Sequence, residues 1–280
     1  MAKKGPNGRY IIAAGEVGIF SVCPVSWKLK EVDRERPLDK KQTVELGKHL
    51  HTHWSSVFEE ALLLNTWIRY LVVLLCTALA VFLLVQPSRA PLHALVELSI
   101  KNHALQLSLL ALMAFLVIRT FVKAANRRRQ ATGFIPTDTA VSIEGSSTLP
   151  AREYISESLG LAGKPDALIR EDGVVLPIEV KPLAKKLRDR YVAQLLVYMR
   201  LVEEFEGQRP SHGYLFLGPK CRRVRVENTQ ARQDWLEGML KDMREVLDGA
   251  PAKPTPHPVK CSKCDVRHRC SFRADSLDHP

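Results

Sequence analysis

Three side chains whose types suit metal-dependent chemistry lie close together in the sequence: Asp166, Glu179 and Lys181. Asp166 precedes one apolar run, and the other two residues belong to the next run, with Asp172-Gly173 between the runs. That dipeptide tolerates the positive φ of tight hairpin turns, so the pattern predicts two paired strands that bring Asp166 beside Glu179. Two carboxylates this close repel each other unless a cation lies between them, and their oxygen ligands suit Mg²⁺ or Mn²⁺.

Such a group of residues could hydrolyse a phosphodiester bond. Alternation along a strand places Glu179 and Lys181 on the same face. The cation would lower the pKa of a water molecule, while Lys181 could orient that water, help to deprotonate it and stabilise charge on the phosphate. The backbone carbonyl of Val180 would be an additional metal ligand. Taken alone, the spacing is also compatible with a solvated strand edge that carries an ordinary glutamate and lysine.

Two further groups of polar residues occur on segments with helical periodicity. Gln194 and Tyr198 lie one helical turn apart and therefore share a face, although Tyr198 could be a half-buried core residue and Gln194 a surface one. Upstream, Gly47 precedes His49, His51 and His53. A histidine on a helix is more often structural than a ligand, so these three are candidates only in combination with the other motifs.

The cysteines predict a second metal centre. Cys261, Cys264 and Cys270 form a C-x2-C-x5-C group, and in a chain without a visible secretory signal this spacing favours metal binding over disulfides. A tetrahedral site needs a fourth ligand, for which the distant Cys23 is the best candidate; His268 could replace one cysteine. We call Cys23, Cys261, Cys264 and Cys270 the cysteine cluster. The residues alone do not separate a zinc site from an iron–sulfur cluster.

Together these motifs resemble the PD-(D/E)XK nuclease superfamily, and within it the RecB-like exonucleases with an iron–sulfur cluster, such as the CRISPR-associated ones. Pro165 and Asp166 match the first half of the signature, and Glu179, Val180 and Lys181 match the second. The resemblance implies an α/β, restriction-endonuclease-like fold in which helices flank a mixed sheet. It covers the chain on both sides of an apolar insertion.

The resemblance also implies how the catalytic metal is held. His51 would bind it together with Asp166, Glu179 and the Val180 carbonyl, and His49 is the fallback ligand. The ion would be Mg²⁺ or Mn²⁺.

Two more roles follow from the same resemblance. Gln194 and Tyr198 would lie near the active site and the DNA. The cysteine cluster would hold a [4Fe–4S] cluster that clasps the two ends of the chain, with Zn²⁺ as the alternative.

Two uncharged apolar runs, residues 70–85 and 104–118, form the insertion. Each is slightly shorter than the roughly 20 residues of a full membrane span. Pro87 and Pro91 between them favour a helical hairpin, and the excess of Lys and Arg outside the runs puts both ends in the cytoplasm. We therefore expect a transmembrane hairpin that contacts lipid through residues 67–122, in a multi-pass membrane protein with a cytoplasmic nuclease domain. A buried hairpin in a soluble cytoplasmic protein is the alternative.

The charge balance favours a polyanionic partner. Lys and Arg number 41 against 30 Asp and Glu, a formal net charge of +11, which suits nucleic acid or an anionic membrane. Candidate phosphate contacts, each of which could instead be part of a solvated basic face, are Lys185, Lys186, Arg188, Arg190, Arg222, Arg223 and Arg225. We expect the substrate to be DNA, single-stranded or with a free end.

The expected organisation has five segments: the N-terminal part of the nuclease (1–66), the hairpin (67–125), a linker (126–149), the catalytic core (150–250) and the Cys-rich end (251–280). The sequence thus predicts a membrane-anchored, metal-dependent DNA exonuclease. The alternative is a non-catalytic DNA-binding or membrane adaptor protein of the same fold, stabilised by iron–sulfur or zinc. That alternative leaves the grouping of carboxylates and lysine unexplained.

Overall fold

The computed structural model describes residues 3–34, 41–84, 108, 111–112, 114–126 and 139–274. The strands in these residues are β1 (Lys3–Lys4), β2 (Tyr10–Ala13), β3 (Ala140–Ile143), β4 (Tyr154–Ser156), β5 (Leu161–Gly163), β6 (Ala167–Glu171), β7 (Val174–Lys181), β8 (His212–Leu217) and β9 (Arg222–Glu227). The helices are α1 (Ala14–Phe20), α2 (Pro24–Trp27), α3 (Lys41–Leu84), α4 (Asp189–Glu206), α5 (Gln230–Leu247) and α6 (Pro258–Ser262), with a π-helical turn (Lys28–Val32) and a 3₁₀ turn (Arg267–Arg269). The described residues 108, 111–112 and 114–126 are helical as well.

A five-stranded mixed sheet contains the predicted hairpin. Its order is β3-β6-β7-β8-β9, in which β7 and β8 are parallel and the other neighbours are antiparallel. Asp172 and Gly173 join β6 to β7 with φ of 49° and 85°, as a tight hairpin turn requires. A smaller sheet has the order β1-β2-β5-β4. This mixed α/β architecture, with helices flanking the sheets, fits the predicted restriction-endonuclease-like fold.

Helix α4 lies at the centre of the core. Ten of its residues are buried, including Leu195, Leu196 and Met199, so the helix is covered by protein almost all round. Helix α1 packs closely against it at Gly18, where an added Cβ would lie 2.7 Å from the Arg190 carbonyl oxygen. The helical segment predicted to carry Gln194 and Tyr198 is therefore present as α4, and it forms the core next to β7.

The expected linker, residues 126–149, is not a linker throughout, because its second half contains the strand β3. Ala140–Ile143 pairs antiparallel with β6 as an edge strand of the large sheet, and Ile143 is fully buried. A strand of four residues followed by Gly, Ser and Thr gives too short a period-2 pattern to be distinguished from a linker. Residues 127–138 lie outside the described part of the chain.

The chain divides into two units, one formed by Met1–Ser56 with Thr139–Pro280 and the other by Val57–Asp138. Within the described residues, one helical segment, Glu45–Thr77, has the length and apolar composition needed to cross a membrane. Its Trp67 and Tyr70 are both 67% exposed. Seven of the fifteen residues of the second apolar run, and the prolines between the runs, lie outside the described residues, so the hairpin stays a prediction.

Candidate active site

The β6–β7 hairpin brings the two predicted catalytic carboxylates together. The strand register places Asp166, which immediately precedes β6, opposite Glu179. Oδ2 of Asp166 accepts a hydrogen bond from the Val180 backbone N–H at 2.6 Å, and the Asp166 carbonyl accepts one from the Glu144 backbone N–H at 2.8 Å. Asp166 is therefore fixed from both neighbouring strands.

Glu179 is a buried carboxylate with one oxygen left unpaired. It is 2% exposed, and burial, together with the charge of Asp166, raises the pKa of Glu179 to about 8. The Lys181 ammonium pairs with Oε1, whereas Oε2 is buried without a hydrogen-bond partner. Burial acts to lower the pKa of Lys181, but the charge and hydrogen bond of Glu179, together with the charges of Asp166 and Tyr191, outweigh burial, and the pKa is raised. A divalent cation would supply the positive charge that these two carboxylates still lack.

The predicted pair on α4 lies beside these carboxylates. Gln194 Nε2 donates a hydrogen bond to the Tyr198 hydroxyl oxygen at 2.8 Å. Burial raises the pKa of Tyr198, and the charges of Glu179 and Asp166 raise it further, so the hydroxyl stays protonated. Tyr198 is thus more than a core residue, since its hydroxyl is available as a donor inside the site.

Of the three histidines on α3, His51 faces the carboxylates. Its Nε2 lies 3.0 Å from Asp166 Oδ1 and 3.6 Å from Glu144 Oε2, while His49 and His53 are exposed. The contact with Asp166 raises the pKa of His51, although burial acts in the opposite direction. The helical register therefore places His51, and not the fallback His49, at the site.

A third carboxylate, Glu144, belongs to this group, although none of the sequence motifs contains it. His51, Glu144 and Asp166 each offer one potential ligand atom, and these atoms lie within 4.8 Å of one another. Oε1 of Glu144 pairs with the Lys164 ammonium at 2.8 Å. The one available sequence signal was the short apolar run that forms β3 and ends just before Glu144.

The cysteine cluster lies where segments from the two ends of the chain are in contact. Cys264 Sγ lies 3.5 Å from Ser26 Oγ of α2, and Lys30 pairs with Asp265 at 2.9 Å. Burial raises the pKa of Cys270, and the other three members of the cluster raise it further. Cys270 therefore lies within electrostatic range of each of the other three thiols.

The predicted basic residues are exposed at two places. We call residues 182–190 the basic turn; its exposed cations are Lys185, Lys186, Arg188 and Arg190. It also contains Leu183 and Leu187, which are 46% and 44% exposed. The other cations, Arg222, Arg223 and Arg225, lie on the edge strand β9 and are exposed as well. The basic turn begins directly after Lys181, so it is the group nearer to the candidate site in the chain.

The family relationship rests on a match along almost the whole chain. The family model of the PD-(D/E)XK nuclease superfamily matches residues 12–271. The chain belongs to this superfamily. The match includes His51, both halves of the signature and the cysteine cluster within its bounds.

One curated relative is the CRISPR-associated exonuclease Cas4 of Thermoproteus tenax. It is 26% identical over 120 residues, which cover 42% of this chain and 63% of the relative. The matched part of the chain thus spans less than two thirds of that relative. A solved structure described as "Crystal structure of SSO0001" matches 63% of this chain and 81% of its own, with a TM-score of 0.31 and 14% identity, a similarity too low to carry an argument.

Proposed function

We propose that the protein is a divalent-metal-dependent deoxyribonuclease that acts as an exonuclease on single-stranded or free-ended DNA. The observation that carries this proposal is the grouping of Asp166, Glu179, Lys181 and His51 at one end of the β6–β7 hairpin. Membership of a nuclease superfamily supports it, as does the partial similarity to a protein named as an exonuclease.

The donor set fits Mg²⁺ or Mn²⁺. Carboxylate oxygens from Asp166 and Glu179, one imidazole from His51 and the Val180 carbonyl match the ligands that these hard cations accept. The buried, unpartnered Oε2 of Glu179 supports this fit. When bound, the cation supplies positive charge beside the scissile phosphate and makes water more acidic.

Lys181 acts as a cationic donor in this scheme. Its ammonium pairs with Glu179 and lies 5.7 Å from the centre of the Tyr191 ring, so its position is fixed on two sides. Because its pKa is raised, the side chain stays protonated near neutral pH. Its ammonium can therefore orient the attacking water and stabilise charge on the phosphate. Tyr198, oriented by Gln194, can donate a second hydrogen bond.

The basic turn supports a preference for single-stranded or frayed DNA. Its four cations can contact phosphates, while Leu183 and Leu187 expose apolar surface between them. Bases in a duplex bury their faces by stacking, whereas bases in a single strand can pack against apolar side chains. A strand held there would lead directly to Lys181.

The decisive experiment measures degradation of end-labelled single- and double-stranded DNA by the detergent-solubilised full chain with Mg²⁺ or Mn²⁺. Asp166→Ala and Lys181→Ala should each remove metal-dependent activity, and Lys241→Ala, an exposed lysine on α5, should leave it unchanged. Equal products from wild type and the two site variants would refute the assignment of the site. No product from any of them would favour the non-catalytic DNA-binding or adaptor protein.

We also propose that the cysteine cluster holds a [4Fe–4S] cluster, with Zn²⁺ as the alternative. The proximity of the Cys270 thiol to the other three thiols supports a shared metal centre, whose role would be to join the ends of the chain. Anaerobically purified protein should absorb broadly near roughly 400 nm, and Cys264→Ser should abolish that band while Cys76→Ser, on the exposed surface of α3, should keep it. Zinc without the band would reverse the choice.

Anchoring in the cell membrane through residues 67–122 is a further part of the proposal. The exposed apolar surface of α3 supports it. The protein should sediment with membranes and resist extraction by high salt, and both apolar runs should be protected from protease in sealed vesicles. Cleavage within both runs would favour the soluble alternative, in a cytoplasmic protein.

A further inference from the structure

We propose that Glu144 is an additional side-chain ligand of the metal site and that Lys164 positions it. This inference rests on the metal dependence proposed above. It concerns a residue that lies outside the D-x12-E-x-K pattern and outside the histidine motif.

The distances at the site suit a six-coordinate cation. His51 Nε2 lies 3.0 Å from Asp166 Oδ1 and 3.6 Å from Glu144 Oε2, and the three ligand atoms are within 4.8 Å of one another. With metal–ligand bonds of about 2.1 Å, adjacent ligands of an octahedral ion lie about 3.0 Å apart and opposite ligands about 4.2 Å apart. One ion can therefore contact all three atoms after small side-chain movements.

Two polar atoms at this site point to a ligand. His51 Nε2 is buried without a well-aligned hydrogen bond, although Asp166 is near it. In the adjoining pair, Oε2 of the almost fully buried Glu179 also has no hydrogen-bond partner. Buried polar atoms are normally satisfied, and a cation bound by Glu144 and Asp166 would satisfy the His51 nitrogen, which lies in the same group of ligand atoms.

The backbone fixes Glu144 relative to the other ligands. Its N–H donates to the Asp166 carbonyl at 2.8 Å, so the main chains of two ligands are held together at the end of β3. The next residue, Gly145, has φ of 82° and approaches α3 closely: an added Cβ would lie 3.2 Å from Ser55 Oγ. Ser55 is one helical turn beyond His51, and its hydroxyl contacts the His51 carbonyl at 3.3 Å. The loop after β3 is therefore packed against the turn that carries the histidine.

Lys164 pairs with the Glu144 carboxylate oxygen that faces away from His51. Its ammonium pairs with Oε1 at 2.8 Å, whereas Oε2 is the oxygen nearer His51. The two oxygens thus have different partners, and Lys164 orients Oε2 toward the metal site without occupying it. Carboxylate ligands are commonly oriented in this way by a second hydrogen-bonding group.

The test is Mn²⁺ binding by the full chain without DNA, in which the electron paramagnetic resonance signal of free Mn²⁺ reports the unbound ion. Glu144→Gln keeps the shape of the side chain and should raise the Mn²⁺ Kd at least tenfold. Lys164→Ala should raise it about threefold and should have no further effect in the Glu144→Gln background, because it acts only through Glu144. The matched control is Glu153→Gln, which removes an exposed carboxylate that also acts on Lys164 but lies outside the ligand group.

The outcomes separate the ligand role from the nuclease proposal. Wild-type Kd in Glu144→Gln, together with lost binding in Asp166→Asn, would overturn the role of Glu144 and leave the proposed nuclease intact. A Lys164→Ala effect that persists unchanged without Glu144 would overturn the positioning role. No Mn²⁺ binding by the wild type would overturn both the metal dependence and this inference.

Discussion

Replacing Gly163 by alanine tests how the core positions Tyr198. Gly163 ends β5, and an added Cβ would lie 2.7 Å and 2.8 Å from two carbons of the Tyr198 ring and 3.0 Å from Leu201 Cδ1. Carbon atoms in contact normally lie about 3.5–4.0 Å apart, so the ring would have to move by about 1 Å. Its hydroxyl would move with it, away from the position set by Gln194.

The size of the effect follows from two opposing contributions. Overpacking a core by one methyl group costs about 1–3 kcal/mol. Removing a glycine from the unfolded chain offsets about 0.4–1 kcal/mol of this. The difference lies between about 0 and 2.6 kcal/mol, and its centre, about 1.3 kcal/mol, corresponds to a fall in Tm of about 3–5 °C for a domain of this size. A misplacement of about 1 Å near the reacting groups should also lower kcat by about tenfold to a hundredfold.

Thermal unfolding and single-turnover cleavage of single-stranded DNA measure the two effects. The control is Gly15→Ala, an exposed position in α1 where an added Cβ meets nothing within 4 Å, and it should leave kcat unchanged with equal or higher Tm. Wild-type Tm and kcat in Gly163→Ala would refute the view that the β5–α4 contact sets the position of Tyr198. Loss of stability with unchanged kcat would show that the hydroxyl position does not matter for the reaction.

Three further predictions concern the basic turn and the far end of the sheet. The double variant Lys185→Ala, Lys186→Ala should bind single-stranded DNA with a slope of log Kd against log salt that is shallower by about 1.4, because each lost phosphate contact removes about 0.7. An unchanged slope would exclude these contacts. The double variant Leu183→Ala, Leu187→Ala should prefer a normal oligonucleotide over an abasic one about fivefold less strongly than the wild type does. The control is Ile155→Ala, which truncates a comparably exposed aliphatic side chain. Burial lowers the pKa of His212, so the folded state binds a proton less readily than the unfolded chain does. Tm should therefore fall as the pH drops below about 6.5. The variant His212→Gln should weaken this pH dependence of Tm between about pH 7 and pH 5.

The large sheet was predictable where the sequence pattern is local. The β6–β7 hairpin has a turn dipeptide between two apolar runs, and α4 and α5 show helical periodicity over 18 residues each. Strands β2 and β5 were not predicted, because they contribute only four and three residues to a parallel pair that joins distant parts of the chain. Short strands of this kind are specified by their neighbours in the sheet, which a single sequence does not reveal.

The candidate site shows the same division between local and long-range contacts. Each of its three carboxylates has a different basic side chain as its nearest partner: Glu179 pairs with Lys181, Glu144 with Lys164, and Asp166 with His51. The first pair spans two residues of one strand, so alternation alone predicts it. The other two pairs connect different elements, and the Asp166–His51 pair also crosses the apolar insertion.

The choice among the histidines on α3 shows why those long-range pairs needed the structure. Any of the three could face the sheet, because the rotation of a helix about its axis is set by the residues it buries. Trp54 is 4% exposed and packs edge-on against Phe216 at 6.1 Å between ring centres, and Ser55 is buried beside it. Residues three and four positions apart share a helix face, so these contacts turn His51 toward Asp166. A tryptophan three residues after a histidine was therefore the local signal that could have selected His51 from the sequence, whereas the pairing that brings Glu144 to the same site has no local counterpart.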